Sequence, residues 1–107
     1  MLREILILGE YLEYIRLNTL LENRAKVKFI ITGLKGVKAN LEQIPELEEI
    51  NAEVGKQCAI WIERLSQSYK DRENEQINLK DACKLFEDIE TWRQKILLKL
   101  GRESIKR

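Results

Sequence analysis

The chain has 107 residues, 44% of them hydrophobic and 35% charged, with a formal net charge of +1. That is the size of one domain, long enough to bury a core without disulfide or metal staples, and no global field draws it to nucleic acid or membrane. It contains no histidine, which excludes a histidine phosphorelay, histidine-based ribonuclease sites, metalloprotease zinc sites and Glu-x-x-His di-iron centres.

With one proline and five glycines among many Leu, Ile, Glu and Lys residues, the composition favours helix over sheet. Residues 2 to about 22 read as a first helix. Leu2, Ile5, Leu6, Ile7, Leu8, Tyr11, Leu12, Tyr14, Ile15, Leu17, Leu20 and Leu21 cover far more than one face. A helix apolar nearly all round is buried on several sides, as a central bundle member or at an interface between chains. A short strand over Arg3 to Gly9 is the rival reading, but the leucine content favours helix. Arg3, Glu4, Glu10, Glu13 and Arg16 interrupt the apolar run, and no small-residue cleavage site follows. Neither a signal peptide nor a membrane span is therefore expected. Thr19 and Glu22 have the spacing of a capping box, which would open a new helix at Leu20; the turn falls there or at Asn23.

The second segment carries Val27, Ile30, Ile31, Leu34, Val37 and Leu41 at helical spacing. Gly33 and Gly36 each cost about 1 kcal/mol relative to alanine, so this is the weakest helix by propensity. Asn40 to Pro45 reads as a turn. Pro45, with Glu46, Glu48 and Glu49 behind it, then starts a long helix to Tyr69. Leu47, Ile50, Val54, Cys58, Trp61, Leu65 and Tyr69 share its face, because side chains three and four apart lie above one another. Lys70 to Gln76 has no apolar residue and reads as a solvated loop. Asn78 caps a last helix whose stripe is Leu79, Ala82, Phe86, Ile89, Ile96 and Leu100, widened by Cys83, Leu85, Trp92 and Leu97. Lys95, Lys99 and Gly101 predict its end, leaving 102–107 as a basic tail. Both cysteines fall on apolar stripes with no secretory leader before them, so they are expected to be reduced, buried and cytoplasmic.

The expected fold is an all-α antiparallel bundle of four helices over residues 1–101. Charge is blocked along it. Arg24, Lys26, Lys28, Lys35 and Lys38 occupy 23–41 without an acid, and Glu42, Glu46, Glu48, Glu49 and Glu53 follow without a base. Such blocks are either partner-binding patches or solvated faces that suit helix dipoles.

Two motifs carry a resemblance. Gly33-x-x-Gly36, with Lys35 between the glycines and Ile30-Ile31 before them, resembles the loop with which KH domains clamp a nucleic-acid backbone. The plain alternative is two small residues where helices approach closely. Phe29 is the one aromatic among those bases, which argues against recognition of single strands by stacking. The pairs Glu10/Glu13, Glu46/Glu49 and Glu87/Glu90 lie one helical turn apart. Paired Glu-x-x-Glu motifs on neighbouring helices hold magnesium in the all-α nucleotide pyrophosphohydrolases, which are similar to this architecture.

The function expected from these residues is a non-catalytic interaction module or accessory subunit, without cofactor or metal, that self-associates or docks on a larger protein. The over-wide apolar surface of the first helix points that way, and Leu2, Ile5, Leu8, Leu12 and Ile15 are the expected partner-binding face. The alternatives are nucleic-acid binding through Arg24, Lys26, Lys28, Lys35 and Lys38, and a magnesium-dependent hydrolase using Glu46, Glu49, Glu87 and Glu90.

Overall fold

A computed structural model describes residues 2–19 and 24–105; the side chains of Leu2 and of 102–105 lie outside that description. It is an all-α bundle of 48 × 23 × 21 Å. Its helices are α1 (Leu2–Asn18), α2 (Val27–Glu42), α3 over residues 45–68, and α4 (Leu79–Ile105). Successive helices run antiparallel. Ile15 and Tyr11 of α1 lie over Gly33 and Gly36 of α2, Glu49 and Arg64 of α3 reach Lys99 and Asp81 of α4, and Arg16 of α1 closes the ring on Glu90 of α4.

Each expected stripe supplies the core. Val27, Ile30, Leu34, Val37 and Leu41 of α2 are buried, as are Leu47, Val54, Cys58, Trp61 and Leu65 of α3 and Tyr69 at its C-terminal cap. α2, the weakest helix by propensity, packs closely on both α1 and α3. Tertiary burial outweighs the glycine penalty because each fully buried aliphatic side chain contributes about 1.5–3 kcal/mol. Its glycines also serve the packing. A Cβ on Gly33 would meet Ile15 Cγ1 at 2.7 Å, and one on Gly36 would enter the Tyr11 ring.

α3 is not the single regular helix its stripe predicts. Pro45–Leu47 is a 3₁₀ turn, Glu48–Ile50 one α-helical turn, Asn51–Gly55 a π-helical stretch, and Lys56–Ser68 an α-helix. The wide turn leaves room for the Asn51 amide to fold over Gly55, where any larger residue would place its Cβ against Asn51 Oδ1.

The helix ends hold further corrections. α1 stops at Asn18, not near residue 22, and the Thr19 hydroxyl donates back to the Arg16 carbonyl at 2.9 Å. Thr19 therefore closes a helix, whereas a capping box would have opened one; the Leu20 and Glu22 part of that expectation lies outside the described residues. The 70–76 loop is more than solvated connection. Carbonyls of Glu75 and Glu73 accept from the N–H groups of Val27 and Lys28, at 2.9 and 3.0 Å. These bonds satisfy donors that α2 leaves open, since Lys26 provides no side-chain cap.

Asn78 caps α4 as its sequence suggests: Oδ1 accepts from the Asp81 N–H at 2.8 Å. Asp81 is buried and in turn binds Arg64 at 2.8 Å. α4 continues through Gly101 to Ile105, so the expected glycine stop is not used and residues 102–105 of the expected tail belong to the helix. Leu79 and Leu97 of the expected stripe are exposed, as is Cys83; only Cys58 is a buried thiol. Cys83 falls on the side of α4 away from the buried Ala82–Leu85–Ile89 line.

Candidate interaction surface

Of the five residues expected to form a partner-binding face, Leu8, Leu12 and Ile15 are buried in the chain's own core. Ile5 is half-buried against that core, and the side chain of Leu2 lies outside the described residues. The expected face is thus the intrachain face of α1. The apolar surplus of this helix lies elsewhere: Leu6, Tyr14 and Leu17 are 59%, 42% and 45% exposed, and Phe29 of α2 is 45% exposed.

Tyr14 and Phe29 line a groove of about 380 Å³ between α1 and α2, and Leu6 and Leu17 lie outside its lining. Ile7, Glu10, Tyr11 and Tyr14 form one wall, with Phe29, Thr32 and Gly33 on the other. Its depth follows from composition, because large side chains on α1 face small ones on α2. The antiparallel register sets Tyr14 beside Phe29. A shallower extension continues past Tyr14 and Phe29 towards Asn18, Arg24, Lys26 and Gln76. The face is therefore aromatic in the middle, with a carboxylate at one end and cations at the other.

The five bases expected to bind nucleic acid do not form one patch. Arg24 donates to the Ile77 carbonyl at 3.0 Å, and Lys38 pairs with Glu42 at 3.1 Å. Lys28 lies over the Phe29 ring, 5.2 Å from its centroid. Lys26 and Lys35 are exposed, at the start and on the outer side of α2. Gly33 and Gly36 lie inside α2 and pack against α1. That overturns the KH resemblance, because a phosphate clamp needs the Gly-x-x-Gly backbone in an open loop and no strand exists among the described residues. The reading that holds is close helix approach.

The carboxylates expected to hold magnesium are also kept apart. Glu49 pairs with Lys99, whereas Glu90 is gripped by Arg16 and Arg93 at 2.9 and 3.2 Å. Glu87 is exposed, and one oxygen of half-buried Glu46 is buried without a partner. Among the described residues no cluster of three acidic or thiol groups is placed to hold a metal ion.

The α3–α4 seam is sealed by side chains that the stripe analysis did not pair. Glu49–Lys99, Glu53–Lys95, Gln57–Trp92, Trp61–Asp88 and Arg64–Asp81 form rungs about one turn apart along α3. Their spacing on α3 (49, 53, 57, 61, 64) is legible in the sequence once α4 is known to be its antiparallel partner. The Cys58 thiol beneath them has its pKa pushed up to about 12 by burial, against a smaller opposing pull from Lys38. It is a poor nucleophile at neutral pH. Among the described residues no helix is long and apolar enough to cross a membrane. No family profile, curated protein or solved structure matches the chain.

Proposed function

We propose that this chain is a non-catalytic helical interaction module whose docking surface is the outer α1–α2 face. The observation that carries this reading is the groove itself, lined by Tyr14 and Phe29, each nearly half exposed, with Leu6 and Leu17 also exposed on α1. Exposed aromatic and aliphatic residues that line one groove mark an interaction site more often than residues scattered singly. Part of the remaining charge is used inside the fold: Lys38 pairs with Glu42, Glu49 with Lys99, and Glu90 with Arg16 and Arg93.

A photo-cross-linking amino acid at Phe29, with one at exposed Ile60 of α3 as control, tests it. The reading expects a covalent adduct to a protein from the Phe29 position in the expressing cell. No adduct there, or equal adducts from both positions, contradicts it.

A second reading rests on one observation that the sequence did not reveal. Tyr14 and Phe29 sit together next to Arg24 and Lys26, an arrangement on which single-stranded bases stack. Fluorescence anisotropy with random-sequence RNA and DNA, at about 50 and 200 mM salt, decides it, because phosphate contacts lose affinity steeply over that range. Flat traces at both salts retire this reading.

A further inference from the structure

We infer that the α1–α2 groove receives an arginine side chain of a partner protein, laid against Tyr14 and Phe29 and paired with Glu10. The inference rests on the docking reading above and adds the chemistry by which the partner is held.

The chain's own arginines supply the first argument. Arg16 of α1 lies over the Phe86 ring, 5.6 Å from its centroid, and pairs with Glu90, one turn further along α4, at 2.9 Å. Arg64 lies 4.9 Å from the ring centroid of Trp61 and pairs with Asp81 at 2.8 Å. Arg72 does the same with Tyr69 at 5.3 Å and Glu75 at 3.4 Å. In each case one guanidinium serves a ring and a carboxylate together. A planar, weakly hydrated cation can do this, because its face stacks while its N–H fork reaches an acid.

The groove presents the same two parts. Glu10 and Tyr14 are one turn apart on α1, so both rise from one face of that helix. Phe29 stands beside Tyr14 on the opposite wall. Glu10 is exposed and makes no ion pair among the described residues, and none of their bases lines the groove. Lys28 lies 5.2 Å from the Phe29 centroid, but it neither lines the groove nor pairs with Glu10. Arg24 and Lys26 stand in the extension past Tyr14, so an incoming cation is drawn to the Glu10 end. An ammonium could answer the carboxylate as a point charge, but its stronger hydration opposes laying it on the rings. Arginine suits both.

Backbone amide shifts of the ¹⁵N-labelled protein, titrated with N-acetylarginine methylamide at constant ionic strength, test the inference. A single side chain buries little area, so the titration runs to about 50 mM. Saturable shifts are expected at Glu10, Tyr14, Phe29, Thr32 and Gly33. The citrulline analogue has the same shape without the charge and is expected to bind about ten-fold more weakly, with the lysine analogue in between. Glu10→Gln and Phe29→Leu should each weaken arginine binding about ten-fold. Both positions are exposed and both replacements keep the bulk, so circular dichroism stays unchanged.

No shift at the groove, equal binding of arginine and citrulline, or a Glu10→Gln protein that binds arginine like the wild type overturns the inference. The Phe29 cross-link separates the two levels of the account. A protein adduct without arginine binding removes the arginine and leaves the docking reading standing, whereas no adduct removes the partner and its arginine together.

Discussion

The two long seams of this bundle are built on opposite principles. Between α1 and α2 the backbones come close because Gly33 and Gly36 have no side chain to keep Ile15 and Tyr11 away. Between α3 and α4 two tryptophans hold the backbones apart, and polar rungs from Glu49–Lys99 to Arg64–Asp81 fill the edge. The second seam satisfies its own donors and acceptors, with Trp61 Nε1 donating to Asp88 at 2.8 Å and Trp92 donating to Gln57. The first places small residues beside large ones and leaves an aromatic groove on its outer side. A glycine contact thus tightens the fold inside and opens a docking surface outside.

Substitutions can break this contrast in graded steps. The largest effect belongs to Trp92→Ala, which empties a fully buried site in the α3–α4 seam and is expected to cost about 3–5 kcal/mol in urea denaturation. Gly36→Ala attacks the other seam. It gains about 1 kcal/mol of helix propensity, but its Cβ would enter the Tyr11 ring, and overpacking makes the change destabilising by about 1–2 kcal/mol net. Adding Tyr11→Ala should bring out the propensity gain, because the obstructing ring has gone. Asn78→Ala removes the α4 cap and the acceptor for the Asp81 N–H, with an expected loss of about 1 kcal/mol. Phe29→Lys changes stability by less than about 0.5 kcal/mol, yet it should abolish arginine binding in the amide-shift titration, which separates the role of this face from that of the core.

The thiols give a finer test. In the native protein Cys83 should react with an aromatic disulfide reagent at once, and Cys58 only on unfolding. The Cys58 pKa is raised from 9.0 to about 12 in the folded state, so the folded protein holds this proton more tightly than the unfolded chain. Its contribution to stability is therefore complete below about pH 9 and is lost as pH rises towards 12. Cys58→Ala should flatten that part of the pH–stability profile relative to the wild type, as measured by urea midpoints.

Much of the fold was legible because burial imposes a period. The stripes through Val27–Leu41 and Leu47–Tyr69 predicted which side of each helix would be buried, and Asn78 marked a true cap. The π-helical stretch was not legible, because Ile50, Val54 and Cys58 keep the three-and-four spacing of an ordinary helix through Asn51–Gly55. The role of the 70–76 loop was hidden for another reason: its carbonyls cap α2 through backbone groups that every residue has.

The docking surface was only half visible. The excess of apolar residues on α1 was evident, but Leu8–Leu12–Ile15 and Leu6–Tyr14–Leu17 are both lines at helical spacing. Only packing against α2 shows which of them turns inwards. Gly33 and Gly36 were the available clue, as a pair that marks where a neighbouring helix comes closest. The meeting of Tyr14 with Phe29 needs the antiparallel register, which the sequence supplies only after α1 and α2 are paired.

Hydroxyl-radical footprinting of the purified protein and of the protein in the expressing cell, read residue by residue by mass spectrometry, tests the contrast between an open seam and a sealed one most directly. The account predicts that oxidation of Tyr14 and Phe29 is lower in the cell than in the purified protein, while that of Ile60 and Leu98 on the other exposed surfaces is the same in both. Protection of Ile60 or Leu98 with Tyr14 and Phe29 unchanged would contradict it.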